Sequence, residues 1–347
     1  MPSITPEPTP TCPPFRCHYF PDATDSQWND WCWHLAHSIR TPAELLARLP
    51  HLHNHPFPSF QHVLPLRVTP YYLALINPDD PADPLLKTIL PCQEETLRDP
   101  FELSDPLAET SHSPLPGLVH RYPDRVLFLL RQTCPLYCRY CTRKRLLTPH
   151  EQQSIQSVRN ELERKLDYIA THPEIHDVLL SGGEPLLTPP RILDDLLARL
   201  RQIPHLDLIR FSSKLPVVLP VAARRPELLQ VITRHQPLYI NLHLTHPREI
   251  TGEFAEACHA LRQAGAILGS QTVLLRDIND SPATLAALWR KSLKVGIRPY
   301  YLLQCDLVHG SSHFRVPVER ALEILAAIQG RLSGLAIPKY MIDLPNG

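Results

Sequence analysis

Hydrophobic and polar positions follow two different patterns on either side of residue 115. After this point, short apolar runs alternate with longer segments of helical periodicity, which predicts strands alternating with helices. The predicted strands are Val126–Leu130, Asp177–Leu180, Leu206–Phe211, Leu238–Leu244, Ala266–Leu275, Ile297–Gln304 and Lys339–Asp343. The predicted helices lie near Ser154–Thr171, Arg191–Ile203, Pro226–Arg234, Glu249–Ala264, Ala283–Val295 and Val318–Leu332. This alternation indicates an α/β fold with a parallel sheet and right-handed crossovers, open or closed.

The part of the chain before residue 115 is rich in proline and lacks this alternation. We expect residues 1–25 to form a disordered proline-rich tail, residues 26–115 a mainly helical N-terminal region, and residues 116–347 a barrel. The segment Trp28–Ile39 fits one amphipathic helix whose tryptophans are packing anchors. The run Thr41–Glu44 has the form of a helix N-terminal capping box with proline at the first helical position.

Charge, hydrophobicity and cysteine content argue against several classes of protein. The 347 residues include 35 basic and 35 acidic side chains, so charge favours neither a nucleic-acid partner nor a membrane surface. No apolar run approaches the ~20 residues of a membrane span. The nine cysteines are scattered and odd in number, which is not the pattern of a disulfide framework. These features indicate a protein of the reducing cytoplasm, and six of the cysteines need no chemical role.

The other three cysteines are clustered. Cys134, Cys138 and Cys141 form a C-x3-C-x2-C run on a loop that leaves the first predicted strand. Three thiolates are one short of the four that usually close a zinc or iron–sulfur site, and an open iron could bind a small molecule. The spacing, with Tyr140 before the last cysteine, resembles the radical S-adenosylmethionine (SAM) signature of a [4Fe–4S] cluster. The alternative is a zinc knuckle that borrows a distant fourth ligand, such as a histidine.

Polar residues follow most of the predicted strands. They are Ser181-Gly182-Gly183-Glu184, Ser212-Ser213-Lys214, His243, His246, Gln271, Cys305-Asp306 and Asp343. The carboxyl ends of parallel strands meet at one edge, so we expect a wide polar mouth there. Paired glycines let the backbone approach a ligand closely, although a bare turn explains such a pair equally well. A single histidine at such a place is more often structural than a ligand.

A series of ordered motifs resembles the lysine 2,3-aminomutase family between about Trp28 and Gly347. The motifs are Pro116–Leu127, Cys134–Arg145, Asp177–Gly183, Pro216–Pro220, His246–Ile250, Val273–Asp280, Arg298–Tyr301, Cys305–Leu307 and His313–Arg315. The resemblance implies a partial (βα)6-type radical SAM barrel with a helical N-terminal extension. It also implies a [4Fe–4S] cluster, SAM and pyridoxal phosphate (PLP), which together move the α-amino group of an amino acid to its β-carbon.

The resemblance also assigns site residues, at the positions of this sequence that match the family's motifs. The resemblance implies that Cys134, Cys138 and Cys141 ligate the cluster. Its candidates around SAM are Gly182, Gly183, Glu184, Ser213, His243 and Gln271. Arg121 and Arg125 are its candidates for the PLP phosphate.

Charge predicts the substrate. Arg143 can grip an α-carboxylate bidentately, and Asp306 and Asp343 can converge on the far end of the substrate. Two carboxylates suit a distal ammonium and repel a distal carboxylate, which favours lysine over glutamate. Without the resemblance, either aspartate would be read as a helix cap or a surface charge.

Two departures from the family affect this interpretation. The family's Gly-rich segment and PLP-binding lysine come just after the position of Asp343-Leu344-Pro345, whereas the sequence ends at Asn346-Gly347. We therefore expect a barrel truncated before that segment, and we assign no catalytic residue. Ser281 stands where lysine-specific relatives carry a zinc-binding cysteine, so that zinc site is not expected.

The leading hypothesis is an isomerase that converts L-lysine into β-lysine, with a reducing electron donor as partner and a homo-oligomer as one arrangement. The first alternative is a radical SAM enzyme of other specificity, acting on a protein-bound lysine or another amino acid. The second is a catalytically dead relative that serves as a binding module.

Overall fold

The computed structural model describes residues 13–60, 63–147 and 155–344. An eight-stranded sheet forms its centre, with every strand beside the next one in the chain. The strands are β1 (Leu118–Tyr122), β2 (Arg125–Arg131), β3 (Asp177–Gly182), β4 (Leu208–Ser213), β5 (Leu238–His243), β6 (Ala266–Val273), β7 (Arg298–Leu303) and β8 (Lys339–Met341). Strands β2 to β8 are parallel, which confirms the predicted α/β barrel, and β1 is an additional antiparallel strand beside β2.

The part of the N-terminal region that the structure describes contains six short α-helices. They are α1 (Arg16–Tyr19), α2 (Asp25–Trp28), α3 (Trp31–Ala36), α4 (Pro42–Leu46), α5 (Pro70–Leu73) and α6 (Pro84–Lys87). The predicted capping box is present, because Thr41 accepts a hydrogen bond from the Glu44 backbone and Glu44 accepts one in return. The single helix predicted over Trp28–Ile39 is wrong, because Asp30 caps a new helix by accepting from Cys32 N.

The predicted boundary of the disordered tail needs correction. Tyr19 and Phe20 are buried in the core, so a disordered tail is wrong for residues 13–25, while residues 1–12 lie outside the described part. The described residues between 26 and 115 carry short helices joined by irregular segments, in line with the expected helical N-terminal region. Helices α4, α5 and α6 each begin with a proline. Proline is well suited to the first position of a helix, and it disfavours helical conformation in the residue before it.

Helices cover the outside of the barrel. They are α7 (Ile155–Ala170), α8 (Pro190–Leu200), α9 (Leu215–Val218), α10 (Pro220–Ala223), α11 (Pro226–Arg234), α12 (Gly252–Gln263), α13 (Pro282–Lys294) and α14 (Val318–Ile328). Ser281 is the N-cap of α13 and accepts from the backbone of Thr284 at 3.1 Å. A serine at this position therefore has a structural role of its own. Within the described ranges, no helix combines the length and apolarity needed to cross a bilayer.

The two faces of the strands differ in burial. In β5, Leu238, Ile240 and Leu242 are fully buried against the helices, whereas Asn241 and His243 are half-buried and line a cavity inside the barrel. Central parallel strands are usually apolar on both faces. Polar residues on the inner face of β5 indicate that the barrel interior is a site and not a second core.

Candidate active site

One cavity of about 550 Å³ opens within the barrel. It brings together all fourteen residues that the sequence analysis singled out for the site: Arg121, Arg125, Cys134, Cys138, Cys141, Arg143, Gly182, Gly183, Glu184, Ser213, His243, Gln271, Asp306 and Asp343. His246, the other histidine after β5, lies outside the lining and accepts a hydrogen bond from Arg248 N. The shared cavity supports the assigned roles, which remain predictions.

The cysteine run forms a loop between β2 and a short 3-10 helix at Lys144–Leu146. Backbone hydrogen bonds fix this loop to the N-terminal region, from Tyr137 to the Arg67 carbonyl and from Arg139 to the Thr88 carbonyl, both at 3.0 Å. The three cysteine side chains are partly buried and line the cavity. The N-terminal region thus supports the cysteine loop through backbone hydrogen bonds.

Arg139 anchors this loop, although sequence reasoning gave it no role. Its side chain is fully buried between two of the cysteines and donates to Glu95 at 2.8 and 2.6 Å. It also donates to the carbonyls of Leu64 and Pro65 at 2.7 and 3.1 Å. The sequence around Arg139 does not indicate that its side chain is buried in the protein interior.

Replacing Arg139 with methionine should lower the free energy of unfolding by about 3 kcal/mol, because it leaves the Glu95 carboxylate buried without its partner. Urea titration followed by circular dichroism measures the change. The matched control is Arg224→Met, which removes an ion pair whose Glu256 side chain is 52% exposed and should cost at most about 1 kcal/mol. Equal losses in the two variants would contradict the anchoring role, and adding Glu95→Leu to Arg139→Met should recover part of the stability.

The cysteines sit close enough to affect one another. Burial raises the pKa of the Cys134 thiol well above its usual range, and Cys141, Glu184 and Cys138 raise it further. Burial and the neighbouring Cys138 raise the pKa of Cys141 to about 11. These thiols need a cation to become thiolates, and the irons of a cluster supply that charge.

The donor set of three thiols on one loop is compatible with an iron–sulfur cluster. Among the described residues, no three His, Cys, Asp or Glu side chains converge as a single metal ion requires. In an iron–sulfur cluster each thiolate binds a different iron, so three thiols spread along one loop fit it. Cys305, the cysteine that follows β7, is buried in an apolar cluster outside the cavity lining.

The paired glycines after β3 pack against the backbone of Arg131 and Thr133, whereas the sequence predicted that they approach a ligand. A Cβ on Gly182 would lie 2.4 Å from the carbonyl oxygen of Arg131, and one on Gly183 would lie 2.3 Å from that of Thr133. Gly182 also has a φ of 111°, which L side chains rarely adopt. Both glycines are therefore needed to lay this loop on the backbone that enters the cysteine loop.

Glu184 joins the ends of two strands. Its buried carboxylate accepts hydrogen bonds from Ser213 Oγ at 2.7 Å, Lys214 N at 2.9 Å and Leu186 N at 3.1 Å. Burial raises its pKa to about 7, although these hydrogen bonds favour the ionised form. Glu184 and Ser213 thus form one unit at the cavity wall.

Tyr140 connects the cysteine loop to β5. Its hydroxyl lies 2.9 Å from His243 Nε2 and 2.8 Å from Thr245 Oγ1. Burial, together with the nearby Lys214 ammonium, holds the pKa of His243 well below its ordinary value, so this imidazole is neutral. The aromatic residue before the last cysteine therefore has a defined position in the wall.

The charged residues assigned to substrate lie together near the cysteine loop. Arg143 Nε donates to Glu109 Oε1 at 2.7 Å, and Asp306 accepts a hydrogen bond from Thr142. Asp343 Oδ1 lies 3.6 Å from Arg121 Nη2. Neither aspartate caps a helix, and both line the cavity. Burial and the neighbouring Asp343 raise the pKa of Asp306 to about 6.

The two arginines proposed for a phosphate differ in availability. Arg121 donates to the Tyr122 hydroxyl at 2.6 Å, and its buried Nε has no hydrogen-bond partner within the described part of the chain. Arg125 is paired with Asp124 at 2.8 Å, and its side chain is 42% exposed. The orphaned Arg121 Nε fits an anion such as a phosphate, while the Nη groups of Arg121 already contact Leu107 O and Asp343. Arg125 would first have to leave Asp124.

Sequence reasoning missed several residues of the cavity lining. They include Leu107, Glu109, Tyr122, Arg210, Asn241 and Tyr301. Asn241 alternates with buried residues in β5, so its inward position was readable from the strand period. Glu109 lies in an irregular segment and gave no such signal.

Comparison with known proteins adds to this geometry. A model of the "Radical SAM superfamily" matches residues 130–288, which include the cysteine loop and the glycine pair. L-lysine 2,3-aminomutase of Clostridium subterminale is 43% identical over 96% of this chain and 79% of that protein. L-lysine 2,3-aminomutase of Bacillus subtilis is 40% identical over 94% of this chain and 69% of that protein. Glutamate 2,3-aminomutase of Clostridioides difficile is 34% identical over 94% and 76%.

Proposed function

Because the chain belongs to the lysine 2,3-aminomutase family of radical SAM enzymes, we propose that it moves the amino group of free L-lysine from C2 to C3 and forms β-lysine. The observation that carries the proposal is the charge arrangement in the cavity. Arg143 lies beside the cysteine loop, and the carboxylates of Asp306 and Asp343 line the same space. This arrangement matches an α-carboxylate at one end of a substrate and an ammonium group at the other.

The cavity offers binding groups for each cofactor of the proposal. Cys134, Cys138 and Cys141 would hold the [4Fe–4S] cluster. The candidates for SAM are Gly182, Gly183, Glu184, Ser213, His243 and Gln271, and those for the PLP phosphate are Arg121 and Arg125. When bound, the cluster and SAM supply one-electron chemistry and PLP carries the migrating nitrogen, with an electron donor from outside the chain.

The protein's own contribution is to hold lysine at both ends. Among the described residues, the Arg143 guanidinium hydrogen-bonds only through Nε, so its two Nη groups remain for the substrate carboxylate. Asp306 is mostly ionised at neutral pH, with a pKa of about 6, and can bind the ε-ammonium. Holding both ends places the carbons between them against the reacting groups.

The same charges argue against glutamate as substrate. A distal carboxylate in place of the ammonium would face Asp306 and Asp343 and would be repelled by both. The C. difficile relative, which is named for glutamate, is 34% identical to this chain, whereas the C. subterminale relative named for lysine is 43% identical. Both observations favour lysine.

The proposal is tested with anaerobically purified protein, reconstituted with iron and sulfide and given SAM, dithionite and PLP. Chromatography with mass spectrometry should detect β-lysine from L-lysine and no β-glutamate from L-glutamate. SAM cleavage without β-lysine would reject the proposed substrate and leave a radical SAM enzyme of other specificity. Absence of both cluster and SAM cleavage would instead support a binding module.

A further inference from the structure

A segment of the N-terminal region reaches the cavity lining at Leu107 and Glu109 and carries four carboxylates. We call residues 99–109 the acidic strap; its acidic side chains are Asp99, Glu102, Asp105 and Glu109. Each of them forms an ion pair with an arginine of the barrel. The arginines belong to two segments that each contribute lining residues, the cysteine loop with the short helix after it and the loop that follows β7.

One end of the strap holds the loop that carries Asp306. The buried Glu102 accepts hydrogen bonds from Gly310 N at 2.8 Å and Ser311 N at 3.1 Å, and it pairs with Arg315. Ser311 Oγ in turn donates to the backbone carbonyl of Asp306 at 3.0 Å. The position of Asp306 is therefore tied to the strap through one intermediate residue.

The other end holds the arginines beside the cluster cysteines. Glu109 has a side chain that is 5% exposed, and its two oxygens accept from Arg143 Nε at 2.7 Å and from an Arg145 Nη at 3.1 Å. Asp105 pairs with Arg145 alone, also at 3.1 Å. Glu109 is the strap residue that contacts Arg143, and it lines the cavity itself.

Glu109 provides Arg143 with a counter-ion other than Asp306. Arg143 and Asp306 carry opposite charges in the same low-dielectric space, and without other partners they would attract and neutralise each other. Such an ion pair would occupy both substrate-binding groups at once. In the structure Arg143 has Glu109 as its counter-ion, and Asp306 has the hydroxyl of Thr142.

The contact also orients the guanidinium. Because Glu109 binds Nε, the planar fork is fixed with its Nη groups free of hydrogen bonds to described residues. A long arginine side chain loses much rotational freedom when it is fixed, and here that ordering is complete before the substrate arrives.

We propose that Glu109 is a positioning residue that keeps Arg143 apart from Asp306 and presents it to the α-carboxylate of the substrate. The inference rests on the proposed function, in which Arg143 binds that carboxylate. It adds a residue from outside the barrel, on an irregular segment, to the determinants of substrate affinity.

The test uses reconstituted holoenzyme and two ligands, L-lysine and L-lysinamide, which lacks the carboxylate. For the wild type, the inhibition constant of lysinamide should exceed the KM of lysine by about tenfold or more, since Arg143 contacts only the carboxylate. In Glu109→Gln the KM of lysine should rise roughly tenfold and the ratio of the two constants should fall below about threefold. A merely structural effect would raise both constants and leave the ratio unchanged.

Asp99→Asn is the matched control, because it removes a strap carboxylate that pairs with Arg315 and has no recorded contact with Glu109 or Arg143 in the described part of the chain. The ratio of the lysinamide inhibition constant to the lysine KM in this control should equal that of the wild type. If Glu109→Gln does not fold, Glu109→Asp, which keeps the charge but shortens the reach, should still lower the ratio. A wild type that leaves lysine unconverted contradicts the proposed function and the inference with it, whereas conversion with an unchanged ratio in the Glu109 variants overturns the inference alone.

Discussion

Replacing Cys138 with alanine should abolish SAM cleavage and reduce the iron content from about four atoms per chain to below about one after anaerobic reconstitution. Cys138 lies between the other two cysteines on a loop whose backbone is fixed by Tyr137 and Arg139, so no neighbouring residue can move in to replace it. The measurement combines iron and sulfide analysis with detection of 5′-deoxyadenosine by chromatography. We expect the folded structure to persist, because Cys138 is only partly buried.

The control for this variant is Cys258→Ala, which removes a thiol buried in α12 on the outer side of the barrel. It should keep full iron content and SAM cleavage. If Cys138→Ala retained iron and cleaved SAM, the cluster assignment of the cysteine loop would be wrong. Stoichiometric zinc in place of iron in the wild type would support the zinc knuckle instead.

The barrel could be predicted because its periodicity is local. Each of β2 to β8 was found to within a few residues, and α11 was found with both ends correct, since apolar spacing and proline positions determine such elements directly. Strand β1 was missed. It pairs with β2 through a tight turn at Pro123-Asp124, and its sequence Leu118–Tyr122 mixes apolar and polar residues on a half-buried edge.

The candidate site could be predicted because parallel strands end at a common edge. Residues as far apart as Cys134 and Asp343 line one cavity for this topological reason. What the sequence could not show was the partner of each group. Glu184 binds Ser213, and Gly183 accommodates the backbone of Thr133, and both contacts depend on how neighbouring loops pack.

The irregular N-terminal region was the least predictable part and holds two important side chains. Glu95 pairs with Arg139 beneath the cysteine loop, and Glu109 pairs with Arg143 at the cavity. Both are acidic residues in proline-rich sequence without periodicity, where a carboxylate is ordinarily exposed. Their burial depends on arginines more than thirty residues away in the chain, which no local pattern encodes.

Replacing Asp306 with asparagine should reduce kcat/KM for lysine roughly a thousandfold, which corresponds to a loss of about 4 kcal/mol in transition-state stabilisation. The reason is that the ε-ammonium would enter the cavity without its counter-ion. Asparagine keeps the shape and can still accept the hydrogen bond from Thr142, so the loop should stay in place. Iron content and uncoupled SAM cleavage should remain near wild-type values. Asp207→Asn, a change at an exposed carboxylate outside the cavity lining, is the control and should have no effect.

The pH dependence of the wild type provides the independent check on Asp306. Burial, helped by Asp343 and Glu109 and opposed by Thr142 and Arg143, raises the pKa of Asp306 to about 6. Above this pH the carboxylate is charged and binds the ammonium, and below it the proton removes the ion pair. The KM for lysine should therefore rise by up to about tenfold per unit as the pH falls below 6, and Asp306→Asn should lack this rise. A variant that kept the same acid limb would show that another group binds the ammonium.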